Sequence, residues 1–536
     1  MAFIRVEKKQ SGTYLRIVQS YKENGKPKHK TLHSLGKVED YPPNQLEAIA
    51  KKLLALSGIN MKPIVADSFH EVGRYNYGYA LVVKKLFDVF KIGTFIKRVN
   101  VKRRIKFNWG QALHLMVAER LNDPVSKLQN SLNQEELIGI SEKTIPLHHL
   151  YRALDVLAQE QEFLKEFLFE QQQNLFTQNL DVVFYDVTTL YFESQIEEPD
   201  CLRQKGYSKD GKAHKTQVVL GLLVDKLRNP ISYQIYKGNT YEGGTMPEAL
   251  KRLKDKYRID QVIVVADSAM IDQSNQEFIA KMDGVSYIIG DSIKVLPKKI
   301  KTILLDREVH KSLDGIKKEN FSYHETTYKG RRIICTYSAK RARKSKIERE
   351  KLINKAQTWI NQPSKYSQTK KRGAGKYIVT DKEGDILLNT AKINKDAMYD
   401  GFKAIATTTD IPVSQILEKY RDLWQVERAF RTLKSQLEIR PMFHWTDKRI
   451  EGHVAMCFLS FLFLNYLRNL TKLSEKEIVK TLDLMQLSAI KHNDDSKELM
   501  YMRSKSTDNQ DIITKKLKIV VPKEISTQSA IYQCIR

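Results

Sequence analysis

Cysteine is scarce. Cys201, Cys335, Cys457 and Cys534 lie far apart among 536 residues and form no CxxC pair, which argues against a disulfide framework and a cysteine zinc site alike, and fits a reducing cytoplasm. Glycine and proline are also few, 24 and 14, so fibrous and low-complexity classes are excluded. We find no internal repeat. The longest apolar run, VAMCFLSFLFLNYL at 454–467, is shorter than the roughly 20 residues that span a bilayer and reads as a buried helix. The opening MAFIRVEKKQSG lacks a signal peptide's apolar centre, and no membrane partner is expected. Acid is in deficit too: 63 Asp and Glu face 90 Lys and Arg, a formal net charge of +27. A polyanionic partner follows from that imbalance.

What is present is a patterned globular chain, 41% hydrophobic. FIRVE, TYLRIVQSY and KHKTLHSLG alternate as strands, and PPNQLEAIAKKLLALSG at 42–58 has helical spacing. From 75 to 180 the periodicity is mainly helical. It then changes to three strand-like runs (VVFYDVTTLYF, TQVVLGLLVD, ISYQIYKGN), a helix (TMPEALKRLKDKY) and a fourth strand, QVIVVADSAM. Helical SNQEFIAKM and the strand SYIIGDS follow. Beyond them lie short strands (RRIICTYSA, KYIVTD, DILLNT), the basic run KRARKSKIEREK at 340–351, a strand in GFKAIATTTD, and one long helix through ILEKYRDLWQVERAFRTLKSQL. A late strand is expected at LKIVVP, 517–522.

Two acids interrupt apolar strand runs. Asp186 lies inside the first strand and Asp267 ends the fourth. If those strands are neighbours, their carboxylates repel in a low dielectric unless a cation intervenes, and magnesium prefers such hard oxygen donors. A third acid comes from the long helix. Leu423, Val426, Phe430, Leu433 and Leu437 draw an apolar stripe at spacings of three and four. Tyr420, Trp424, Glu427, Arg431 and Lys434 share the adjacent face. One acid among two cations suits a DNA-cutting centre in which two magnesium ions about 3.5–4 Å apart serve the attacking and leaving oxygens. Taken singly, each acid has an ordinary alternative: a turn former, a cap, or for Glu427 an ion pair with Arg431 four residues on. The combination on this strand order favours chemistry.

These residues resemble the DDE transposases of bacterial insertion sequences, in the branch whose helix motif reads Tyr, two residues, Arg, three residues, Glu, six residues, Lys. Tyr420, Glu427 and Lys434 match it, and Leu423 stands where Arg is expected. GYSKDGKAHKTQVVLGLLVD at 206–225, KGNTYEGGT, DGFKAIAT, IRPMFHW and RIEGHVAMCFLSFL are similar to the same family. The resemblance implies an α/β fold, an RNase H-like mixed sheet flanked by helices and interrupted by a β-rich insertion, with an N-terminal β unit and a mainly helical region. It divides the chain into a small β/α unit (1–60), a helical DNA-binding region (61–180), the catalytic core (181–294 and 396–470), the basic insertion (295–395) and a C-terminal tail (471–536).

The resemblance also implies that Asp186, Asp267 and Glu427 hold two Mg²⁺ ions, replaceable by Mn²⁺. With them the enzyme nicks at the element's terminus and directs the freed 3′-hydroxyl onto a target phosphodiester. Its partners are then double-stranded DNA, as terminal inverted repeats and target, and a second subunit in the DNA complex. The expected location is the cytoplasm, at the nucleoid. DNA contacts are expected from Tyr420, Arg421, Arg431 and Lys434, with Arg421 or Arg431 replacing the absent motif arginine, and from Lys340, Arg341, Arg343 and Lys344 of the insertion. VKRRIK at 101–106 adds basic surface, and Trp424, Phe443, His444 and Trp445 are candidates for base stacking. An RNase H-like nuclease that cuts without joining, and a DNA-binding repressor with a decayed centre, are the competing readings.

Overall fold

The computed structural model describes residues 2–23, 26–57, 69–176, 181–193, 195–207, 214–257, 261–268, 277–279, 281–362, 372–381, 385–492 and 499–535. Residues 274–276 and 280 of SNQEFIAKM, and residues 208–213 of the GYSKDGK stretch, lie outside that set. The chain divides into two compact units, Met1–His70 with Lys491–Lys497, and Glu71–Ile490 with Glu498–Arg536. In the first, the alternating segments form an antiparallel meander, β1 (Ala2–Lys9), β2 (Gly12–Glu23) and β3 (Lys26–Lys37), followed by α1 (Pro43–Leu56).

The second unit contains most of β4 (Phe69–Asn76) and then six helices: α2 (Gly78–Val89), α3 (Ile92–Arg103), α4 (Trp109–Asn122), α5 (Lys127–Asn133), α6 (Leu147–Gln159) and α7 (Gln161–Phe176). Side-chain oxygens start two of them. Asn108 accepts from the Gln111 amide at 3.1 Å before α4, and Ser126 from the Gln129 amide at 3.2 Å before α5.

The main sheet then follows the strand order read from the sequence. It contains β5 (Val182–Tyr191), β6 (Gln204–Lys205), β7 (Thr216–Val224), β8 (Pro230–Lys237), β9 (Val262–Ala266) and β10 (Val285–Asp291), with α8 (Thr245–Tyr257) between β8 and β9. β5, β7 and β8 run antiparallel, whereas β9 pairs parallel to β5 and β10 parallel to β9. The resulting order, β8-β7-β5-β9-β10, is the mixed sheet expected of an RNase H-like core.

Alternation sorts the side chains of this sheet between two cores. Along β5, Val182, Phe184 and Leu190 enter a core shared with the helices around α4 and α6, and Val183, Tyr185 and Val187 enter a second core with Met246, Leu250 and Leu253 of α8. Helices thus cover both faces.

Residues 295–395, expected as a β-rich insertion, contribute more helix than that expectation allowed and extend the same sheet. After α9 (Lys298–Leu305), β11 (Lys311–Ser312), β12 (Phe321–Tyr328) and β13 (Arg331–Ser338) join it through β13, which pairs with β16 (Phe402–Thr407), itself paired to β10. The basic run forms α10 (Ala339–Asn361), and α11 (Thr390–Ala397) and the small pair β14 (Ile378–Thr380) and β15 (Ile386–Leu388) complete the segment.

The single long helix expected near 420 is two helices, α12 (Val413–Arg421) and α13 (Trp424–Ser435). At the junction the backbone changes to tighter bonds, from Leu423 N to Tyr420 O, Gln425 N to Asp422 O and Val426 N to Leu423 O. The apolar stripe survives the break: Leu423, Val426, Phe430, Leu433 and Leu437 are all buried. LKIVVP is not a strand. The helix Asp508–Leu517 ends at Lys518 with φ of 54°, and Val520 beyond it is exposed.

α14 (Asp447–Thr471) contains the long apolar run. Among the described residues it is the one helix long and apolar enough to cross a membrane, and 89% of its apolar window is buried in the protein. Gly452 lets it touch α6, because a Cβ there would lie 2.1 Å from the Leu154 carbonyl oxygen. Helix propensity alone favours Gly452→Ala by about 1 kcal/mol, whereas a clash with backbone has no side-chain escape and typically costs about 1–3 kcal/mol or more. Gly452→Ala is therefore expected to destabilise the protein by roughly 1–2 kcal/mol in urea unfolding. A neutral or stabilised variant would refute this packing.

Candidate active site

The parity of the strands places the acids. Tyr185 pairs with Ala266 across the parallel β5–β9 step, so Asp186 and Asp267 are the next residue on each neighbouring strand. Val265 of β9 and Phe184 of β5 both enter the helix-side core, two residues before their acids, and period-two alternation puts Asp267 and Asp186 on that same face. α13 packs there too, through Val426, Phe430 and Leu433, and presents Glu427 in its first turn.

Asp186 is half-buried, and its Oδ1 accepts from the Val187 amide at 2.8 Å. Asp267 is exposed, and its Oδ1 accepts from the Ser268 amide at 2.7 Å. Glu427 is exposed. Gly290 of β10 faces this point: a Cβ would lie 2.7 Å from Tyr420 Oη and 3.3 Å from Asp267 Oδ1. The absent side chain gives tyrosine and aspartate their room.

Asp267 and Glu427 line one pocket of about 380 Å³ together with Arg341, Lys403, Tyr420 and Arg421. Asp186 is not in its lining. Among the described residues no three His, Cys, Asp or Glu side chains are close enough to hold a metal ion together. Cations of the chain also stand in the pocket. Lys403 Nζ lies 4.4 Å from the centre of the Tyr420 ring. Surrounding protein pushes the Lys403 ammonium down from its usual pKa, while the Asp267 and Glu427 carboxylates pull it back up. Arg341 donates to the Gly401 carbonyl at 3.1 Å, and burial lowers its pKa from the usual guanidinium range.

Tyr420 stands out chemically. Burial, then the Asp267 carboxylate, raises its pKa, so it is a neutral O–H donor at physiological pH. Its oxygen is buried and, among the described residues, has no hydrogen-bond partner.

The other expected DNA contacts separate into two groups. Arg421 is in the pocket. Arg431 is exposed and Lys434 half-buried further along α13, and neither lines it. Of the basic run, Lys340, Arg343 and Lys344 are exposed on the early turns of α10, while Arg341 alone turns in to the acids. Trp424 lines the pocket and is 42% exposed. Phe443 and Trp445 are exposed, with Arg203 4.5 Å from the Trp445 ring. His444 is not free to stack as expected, because its ring lies 4.9 Å from that of His453 and burial pushes its pKa down to about 3. The sequence reading missed Lys403, Thr336 and Gly290 as site residues. The one available signal was Lys403 as the sole charge in FKAIAT.

Comparison with known families matches residues 177–463 to the transposase DDE domain and residues 4–60 to the IS1634 family transposase, N-terminal domain. No curated protein matches the chain. Among solved structures, the Mos1 transposase paired-end complex with left transposon end is similar at 13% identity and a TM-score of 0.15, over 34% of this chain and 59% of that one. The chain thus spans less than two thirds of that relative, a likeness too slight to carry the fold. The domain match covers more than half of the 536 residues and includes all three acids, and the chain belongs to the DDE transposase family.

Proposed function

We propose that this protein is the transposase of an insertion sequence, which binds the element's terminal repeats and catalyses magnesium-dependent DNA cleavage and strand transfer in the cytoplasm, at the nucleoid. One observation supports this most: Asp186, Asp267 and Glu427 come from three distant segments to the same face of the sheet at the β5–β9 step. DDE domains in general use divalent metal ions. The donor set here fits magnesium, because the acids offer hard oxygens and one or two carboxylates plus substrate phosphate suffice for an ion. When bound, magnesium supplies the positive charge that activates an attacking oxygen and stabilises the leaving one.

The chain's own groups do the rest. Arg341, Lys403 and Arg421 offset phosphate charge, and Tyr420 donates its unpartnered O–H to a phosphate oxygen. Water attacks the phosphodiester at the element's end and releases a 3′-hydroxyl and a 5′-phosphate. That 3′-hydroxyl then attacks a target phosphodiester, and the target's own 3′-oxygen leaves. Joining two ends at one target calls for two subunits on the DNA.

Incubation of the protein with linear DNA carrying its element's ends is expected to yield cleavage and joining with Mg²⁺ and neither with EDTA. Asp186→Asn, Asp267→Asn and Glu427→Gln should each abolish both. A variant that retained near wild-type activity would remove that acid from the ligand set, and cleavage without joining would favour a plain nuclease. Tyr420→Phe tests the tyrosine separately. Removing a buried, unpaired hydroxyl should leave the melting temperature unchanged or higher, while loss of a donor to phosphate slows cleavage roughly a hundred- to a thousandfold. Full activity in Tyr420→Phe would exclude the contact.

A further inference from the structure

A second basic cleft lies in the same compact unit and shares no residue with the acid pocket. It has a volume of about 690 Å³ and forms where α3 passes into α4, with α6 and the first turn of α14 as its other walls. Arg103, Arg104, Lys106, Arg152 and Lys448 line it. Its carboxylates are already engaged: buried Glu160 takes Lys102 at 3.0 Å and also Arg103, and Asp155 pairs with Arg449 at 3.7 Å. Arg104, Lys106, Arg152 and Lys448 are exposed and, among the described residues, have no ion pair. Four uncompensated cations on one concave surface repel one another at an energetic cost that an anionic occupant relieves.

The wall behind them is fixed. Phe107 stacks on His149 with ring centres 4.8 Å apart, and the Arg152 guanidinium lies 5.1 Å from the Phe107 ring. Arg103 is held by Glu160 and by Gln159 Oε1 at 2.6 Å. Arg104 ends α3 with a left-handed φ of 52°, which turns the chain out of the helix at this point.

We propose that this cleft binds the sugar-phosphate backbone of double-stranded DNA, as an anchoring surface separate from the acid pocket; the inference rests on the transposase reading above. Two features favour a DNA backbone over a small anion. The cations come from three separate elements along an open cleft, and all four heads reach solvent, as phosphate contacts on a duplex require. Lys448 and Arg152 join VKRRIK only through the fold.

The test measures binding of the full chain to a fluorescent duplex in EDTA, over a salt series, so that no cleavage is needed. Arg104→Ala combined with Lys448→Ala is compared with Lys298→Ala combined with Lys299→Ala, which removes the same charge from an exposed helix elsewhere. Each phosphate contact contributes about 0.9 to the slope of log K against log salt. The cleft pair is expected to reduce that slope by nearly two and to weaken terminal-repeat and unrelated duplexes by the same factor, at least tenfold near physiological salt. The control pair should change neither by more than about twofold, and both should melt as wild type. An unchanged slope in the cleft pair, or equal losses in the two pairs, overturns the proposal. Wild-type protein that fails to cleave or join with Mg²⁺ would sink the transposase reading instead, and the binding comparison would still decide the cleft.

Discussion

The period-two alternation of two adjacent parallel strands is the constraint on which the acid site depends. Asp186 and Asp267 extend from adjacent parallel strands, and Glu427 faces the same side of the sheet from α13. Nothing in the apolar runs that position them offsets their charge. The Asp186 and Asp267 side chains each accept a backbone amide from the next residue, and Lys403 and Arg341 bring cations to the shared pocket. Those interactions place positive charge and amide donors beside the acids in the folded chain.

The position of the acids was legible because it depends on two local periodicities. Alternation along VVFYD and QVIVVAD fixes which face each aspartate takes, and the stripe from Leu423 to Leu437 fixes how α13 lies, with Glu427 beside it. The cations were less legible, since their placement depends on which strands meet far along the chain. Lys403 reaches the acids only because β16 pairs with β10. Arg341, read as part of an exposed basic run, faces inward because β13 ends beside β16 and Ser338 caps the helix that follows, accepting from the Arg341 amide at 3.4 Å. A charge run has no periodicity that separates an inward residue from its outward neighbours.

Similar reasoning accounts for the errors in secondary structure. The helix near 420 was read as continuous because its apolar spacing is uninterrupted, but spacing does not record the change to tighter hydrogen bonds at Asp422 and Leu423. LKIVVP has strand composition, yet Lys518 turns the chain with a positive φ and leaves Val520 in solvent, so no neighbour completes a ladder. In both places tertiary packing overrides local preference.

The break between α12 and α13 bears on the departure from the family's helix motif. Leu423, at the position where arginine is expected, belongs to the buried stripe and is only 9% exposed. Leu423 lines the pocket beside Asp267 and Glu427, so an apolar wall stands where the motif arginine would bring charge. The chain meets the need for positive charge from outside that helix register: Arg421 from the last turn of α12, Arg341 from the head of α10, and Lys403 from β16 all line the pocket. A pocket can therefore stay cationic without one motif residue when the strands around it deliver the charge, and the segment between β10 and β16 becomes part of the acid-bearing face rather than an appendage to it.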